Sequence, residues 1–261
     1  DGLSLPAADY SIANGTYGGN GINTLTLQLN ESGTADTDTT PDLEYAQGTH
    51  NAIVDQAANQ HAAQTFQNTT DTAAPAIIAA RTKDAGGVKG QIDHLLLTFS
   101  EPIALNDTSD DGIPDLDVSG YNIVVKDYNL IDSTSLNVKL EESGTPDTGV
   151  TPDLSYSQGQ NAIVDQQASN ELAAHTFTGT ADTAGPVIEA SALVGEKTVR
   201  ATCSENVNDG ELEALDFVIK DANNNDLGVD GLADDGGTDN DIVWLLQTDG
   251  TKTPAEVTLS G

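Results

Sequence analysis

The chain has 261 residues, with 9 Lys+Arg against 42 Asp+Glu and a formal charge of −33. So few cations leave almost nothing to neutralise phosphate. This argues against nucleic acid and anionic membrane surfaces as partners, and the acidic excess suits divalent cations or salty water. A single cysteine, Cys203, excludes an intrachain disulfide framework, and no apolar run reaches the length of a membrane span.

Met is absent and nothing at Asp1 has the form of a signal peptide, so the chain reads as a mature or partial product. Tyr10–Ala13 opens as a strand, flanked by the turn signals Asn14-Gly15 and Gly18-Gly19-Asn20-Gly21. Leu25, Leu27 and Leu29 then alternate with Thr26, Gln28 and Asn30, the period-2 pattern of a half-buried strand.

The stretch from Ser32 to Pro75 returns from Ser143 to Pro186. Pro75 and Pro186 lie 111 positions apart, as do Tyr10 and Tyr121. So long and faithful a period predicts one domain type copied in tandem. It divides the chain into an incomplete unit at 1–72 lacking its N-terminal strands, a complete unit at 73–183, and a unit at 184–261 lacking its C-terminal strand.

In the middle unit an extended segment is predicted at Ala76–Ala80. Leu95, Leu97 and Phe99 alternate along the next strand up to Ser100-Glu101-Pro102. Further strands are predicted at Tyr121–Lys126, along Leu136, Val138 and Leu140, at Leu154 and Tyr156, and over Ala174–Thr178. In the last unit Val199, Ala201 and Cys203 take the places of Leu95, Leu97 and Phe99, and Ser204-Glu205 repeats Ser100-Glu101. FVIKD at Phe217–Asp221 matches IVVKD at Ile123–Asp127, and Ile242, Trp244 and Leu246 repeat the apolar ladder. Ile53–Ala63 and Ile163–Ala174 each have room for one helical turn. About seven short strands per unit, separated by Gly, Asn, Asp and Pro turns, predict an all-β fold of tandem antiparallel β-sandwiches.

Three short motifs recur: Asp71-Thr72-Ala73-Ala74-Pro75, Leu97–Glu101 in the form L-x-F-S-E, and Ile53–Asn59. Together they resemble the bacterial and archaeal Ig-like repeats of S-layer proteins and large surface adhesins. Where that family has D-x-A-G-N, this chain has Asp55-Gln56-Ala57-Ala58-Asn59, and Asp165-Gln166-Gln167-Ala168-Ser169 is looser still. The resemblance implies Ig-like sandwiches and an extracellular, cell-surface location, and no particular activity.

The sharpest chemical pattern is Asp107, Ser109, Asp111, the carbonyl of Ile113 and Asp115, oxygen ligands at alternate positions with Gly112 at the turn. This is the front half of a calcium loop of EF-hand type, similar to the Asp-rich loops of thrombospondin type 3 repeats and dockerins. Val118 stands where the bidentate Glu belongs, with Asp117 beside it. Asp226, Asp230 and Asp234 repeat the skeleton with Gly228 at the third position. Asp36, Asp38 and Asp42, echoed by Asp147 and Asp153, read as turn caps before Thr-Pro.

Carboxylates also recur between units, as Glu101 and Glu205, Asp55 and Asp165, Asp71 and Asp182. Asp71 and Asp182 precede the prolines between units. Either they cap turns, or, with the other two carboxylates folded to the same end, they share a calcium ion at the junction. Asn14, Asn30, Asn68 and Asn106 begin glycosylation sequons.

Catalysis finds no pattern. His50, His61, His94 and His175 lack metalloprotease spacing, and neither a nucleophile elbow nor a phosphate-binding loop is present. Cys203 and Trp244 sit at ladder positions and read as core. The expectation is a non-enzymatic, structural surface protein braced by calcium, with copies of itself or neighbouring surface chains as partners. A stalk of a secreted adhesin and an accessory module of a secreted polysaccharide enzyme are the alternatives.

Overall fold

A computed structural model describes residues 10–12, 27–29, 37–47, 53–55, 57–67, 69–107, 115–195, 197–208, 213, 217–221, 223–232, 238–246 and 254–259. Every helix or strand among them is a strand. In the first unit β1 (Tyr10–Ile12) pairs with β2 (Leu27–Leu29), and β3 (Leu43–Tyr45) pairs with β4 (Gln64–Phe66), both antiparallel.

The middle unit is built from β5 (Ile77–Lys83), β6 (His94–Phe99), β7 (Ile103–Asp107), β8 (Leu116–Val118), β9 (Ile123–Asp132), β10 (Ser135–Leu140), β11 (Leu154–Tyr156), β12 (Asn161–Asp165), β13 (His175–Phe177) and β14 (Thr180–Ala181). One sheet runs β14-β5-β6-β10-β9, a second runs β13-β11-β8, and β12 pairs with β7. Among the described residues ten strands stand where about seven are expected, because the β7–β12 ribbon and the two-residue β14 are added. The predicted alternation is borne out. Leu95, Leu97 and Phe99 of β6 and Leu136, Val138 and Leu140 of β10 all point into one core, which also takes Leu116, Val118, Leu154, Tyr156 and Ile163 from the other strands. Each such side chain fully removed from water contributes about 1.5–3 kcal/mol, so this ladder drives the two layers together.

In the third unit β15 (Ile188–Gly195), β16 (Thr198–Asn208), β17 (Phe217–Asp221), β18 (Val229–Leu232), β19 (Thr238–Leu246) and β20 (Pro254–Leu259) form a sheet β15-β16-β19-β18 and a pair β17-β20. Val199, Ala201 and Cys203 are buried in a second core with Phe217, Ile219, Leu227 and Ile242. Ile188 faces Cys203 as Ile77 faces Phe99. One match between units fails. Ile123–Asp127 opens β9 and belongs to the sheet of β10, whereas FVIKD forms β17 and pairs with β20. Similar residues serve different sheets because a pleated strand asks only for alternating apolar side chains.

The places proposed for a helical turn hold none among the described residues. Asn161–Asp165 is the fully buried strand β12, and the chain after it turns around the Asp165 carboxylate. A similar turn, one residue shorter, forms around Asp55, whose Oδ1 accepts from the backbone N–H groups of Ala57 at 2.9 Å and Asn59 at 2.8 Å. Leu43, Ile53 and Phe66 of the first unit are exposed, although their counterparts Leu154 and Ile163 are buried and Phe177 packs against the core.

Candidate functional site

The units meet through a joint that is used twice. At the first joint the hydroxyls of Thr37 and Ser100 are 2.7 Å apart, and Ser100 Oγ accepts from Ala76 N–H at 2.9 Å. At the second, Thr148 and Ser204 are 2.6 Å apart and Ser204 Oγ accepts from Val187 N–H at 3.0 Å. In each joint a threonine of one unit reaches a serine on the second long strand of the next or just past it: Ser100 follows β6, and Ser204 lies within β16. Beside the second joint, Thr82 of β5 fixes the end of its own unit: its Oγ1 accepts from Thr183 N–H at 3.1 Å while Thr183 Oγ1 donates to its carbonyl at 2.5 Å.

Gly90 marks the closeness of packing at the second joint. Its φ is +90°, and a Cβ there would lie 2.7 Å from Glu189 Oε1 and 2.8 Å from Val187 Cγ2.

Beside the first Thr–Ser contact, Asp71, Glu101 and Asp165 converge, each offering a carboxylate oxygen within 4.8 Å of the others. The fold brings them together from three places. Asp71 lies in the linker and Glu101 is the second residue after β6. Asp165 ends β12, where antiparallel pairing sets it opposite Ile103 of β7, and Gln166 N–H bonds to the carbonyl of Pro102 at 3.1 Å. Asn170 Nδ2 closes the arrangement by donating to the Ala73 carbonyl at 3.0 Å, which ties the loop after β12 to the linker.

Asp71 and Glu101 each keep an oxygen without a partner, and Asp165 is hydrogen-bonded at both oxygens. Asp71 Oδ1 accepts from Ala73 N–H at 3.0 Å, and its Oδ2 is buried with no hydrogen-bond partner. Turn capping and ion binding are therefore not alternatives here, since one oxygen is left over. Glu101 is 2% exposed and its Oε1 has no partner either. Asp165, 1% exposed, accepts from Gln167, Ala168 and Ser169 N–H through Oδ1 and from Asn170 N–H through Oδ2.

The electrostatics follow from this. Burial pushes the Glu101 carboxyl above its usual range, the Thr37 hydrogen bond opposes the shift, and the negative charges of Asp165, Asp71 and Asp38 add to it. Burial also pulls Asp165 upward, but the four backbone N–H groups outweigh it and leave that carboxyl below its usual range. Among the described residues no Lys or Arg pairs with any of the three. Two buried unlike demands meet: Asp165 is held ionised, and Glu101 resists ionising beside it. Either a proton or a cation resolves the conflict.

The second joint carries part of the same set. Glu205 Oε1 is buried without a partner, and burial raises its carboxyl, with the Thr148 hydrogen bond opposing and Asp182 both charging and bonding to it. Glu205 packs on Gly149, where a Cβ would lie 3.1 Å from its own Cβ.

The loops singled out by spacing fall differently. Ser109, Asp111, Ile113 and Asp234 lie outside the described residues, as do Asn14, Asn30 and Asn68. Asp107 ends β7 opposite Asn161, and Asp115 Oδ2 accepts from Asn161 N–H at 2.9 Å, so the two ends of the first acidic loop meet at one residue. Asp226 Oδ1 caps a turn by accepting from Gly228 N–H at 2.8 Å, and Asp230 is exposed within β18. Asn106 is exposed on β7. Asp147 is a structural anchor, accepting from Ile92 N–H at 2.7 Å and from the Tyr121 hydroxyl at 2.8 Å. Cys203 is buried, which raises its thiol pKa.

Comparison with family models, with curated proteins and with solved structures finds no match to this chain.

Proposed function

We propose that this is a structural, non-enzymatic protein of the cell surface, an S-layer or surface-filament subunit in which tandem Ig-like sandwiches are spaced by fixed joints and braced by calcium. The observation that carries the reading is the recurrence of the joint: Thr37–Ser100 and Thr148–Ser204 make the same contact between successive units. A repeated joint that sets the angle between repeated modules is what an extended scaffold needs. Strand order supports the Ig-like part. β5-β6-β10-β9 against β8-β11-β13 follows the A-B-E-D over C-F-G arrangement of a constant-type immunoglobulin sandwich.

Exposure of Leu43, Ile53 and Phe66 supports a partner made of more such polypeptide, since their counterparts Leu154 and Ile163 are buried and Phe177 packs against the core. The net charge of −33 supports a hydrated, cation-rich exterior. The test is imaging of the native assembly with gold-labelled antibody against this chain. Label on a regular lattice or filament outside intact cells is expected, and label confined to the cell interior would overturn the reading. Label on long, isolated fibres with a distinct tip would favour an adhesin stalk instead.

A further inference from the structure

We propose that Asp71, Glu101 and Asp165 are ligands of one divalent cation of calcium's size, held where the linker meets the second unit and completed by water. The three oxygens lie within 4.8 Å of one another. Oxygens opposed across a calcium ion, at 2.3–2.6 Å each, stand about 4.6–5.2 Å apart, so the cluster fits within one coordination sphere. Acidic residues gathered at a surface would not by themselves point to an ion. Here two of the three clustered carboxylates carry a buried oxygen with no partner: Glu101, itself 2% exposed, at Oε1, and Asp71 at Oδ2. A buried carboxylate oxygen without a donor is costly in an empty site and becomes favourable once a cation supplies the missing charge.

The ligands belong to separate segments. The linker gives Asp71, the turn after β6 gives Glu101, and the end of β12 gives Asp165. Glu101 adjoins Ser100, which touches Thr37 of the preceding unit. An ion drawing these carboxylates together therefore fixes the linker to the second unit at the point where the first unit rests on it. That the joint's stiffness matters rests on the structural reading above; the site itself rests on the geometry.

The experiment is calcium titration of the whole chain by calorimetry, with melting temperature measured in parallel, for the unaltered protein, Glu101→Gln and Asp71→Asn. Both changes are nearly isosteric, and Asn keeps an oxygen for the Ala73 cap. The expected result has two parts. Without divalent ions, Glu101→Gln melts at or above the parent temperature, because a repelling charge is gone. With calcium, the parent gains stability and each variant binds one equivalent fewer, or binds that equivalent at least ten-fold more weakly, with a smaller gain. Unchanged stoichiometry and affinity in both variants would overturn the site. If Glu101→Gln does not fold, Asp71→Asn decides by the same criterion. Loss of the site with no change in the protein's dimensions in solution would leave the cation in place and count against the stiffened scaffold alone.

Discussion

Thr148 and Ser204, 56 residues apart in sequence and on opposite sides of the second joint, bring their hydroxyl oxygens to 2.6 Å. Ser204 Oγ also accepts from Val187 N–H at 3.0 Å. Ser204→Ala removes both interactions and leaves a part-buried amide without an acceptor. A loss of about 1–3 kcal/mol in the third unit is expected, read as faster hydrogen exchange at Val187 and a lower calorimetric transition for that unit. Ser100→Ala is expected to cost less at Ala76, whose N–H is exposed and finds water once the serine oxygen is gone.

Tyr156 and Tyr45 occupy the same place in successive units and differ in burial. The Tyr156 hydroxyl accepts from buried Ile163 N–H at 3.1 Å, whereas Tyr45 accepts from exposed Ile53 N–H at 3.0 Å. Water replaces a lost acceptor only at the exposed site. Tyr156→Phe is therefore expected to cost about 1–3 kcal/mol and Tyr45→Phe well under that, measured by amide exchange at Ile163 and Ile53.

Ala58 and Ser169 hold φ values of 66° and 62° at matching positions of the Asp-centred turns. A left-handed conformation costs an L-residue about 1–2 kcal/mol, and glycine gives back about 0.5–1 kcal/mol of that in chain entropy. Ser169→Gly and Ala58→Gly are expected to raise the melting temperature of their units. A fall would show that the side chains contribute contacts that outweigh the strain.

Two sets of carboxylates give opposite pH slopes. The Thr134 N–H holds Asp132 below its usual 3.8, and the Asn59 side chain does so for Asp55. Their contribution is present above 3.8 and is lost as pH falls through the depressed values. Burial raises Glu101 and Glu205 above their usual 4.5. The fold then binds those protons better than the unfolded chain does, so stability declines as pH rises through the raised values. In metal-free buffer, melting temperature against pH is expected to peak in the mildly acidic range. Millimolar calcium is expected to flatten the decline toward neutral pH, since an ion takes the place of the proton at Glu101.

Much of this organisation is legible in the sequence. The ladders Leu95-Leu97-Phe99 and Leu136-Val138-Leu140 announce two core-facing strands by period alone, and the 111-residue offset announces the repeat. The recurring carboxylates are also visible as pairs. Their convergence is not, because Asp165 approaches Glu101 only through the β7–β12 pairing, and neither short strand has a strong pattern. Spacing points to Asp107–Asp115 and Asp226–Asp234, where candidate ligands follow one another along the chain. The joint gathers its carboxylates from residues 71, 101 and 165, a set that no local motif contains. FVIKD shows the reverse limit, since like sequence there occupies an unlike strand.

The central claim is that repeated joints hold the units at a set spacing, with calcium completing the first. Small-angle X-ray scattering of the whole chain in calcium and after its removal by chelator, at fixed ionic strength, tests it most directly. A larger maximum dimension with a narrower distance distribution in calcium is predicted. Superimposable profiles in the two conditions would contradict it.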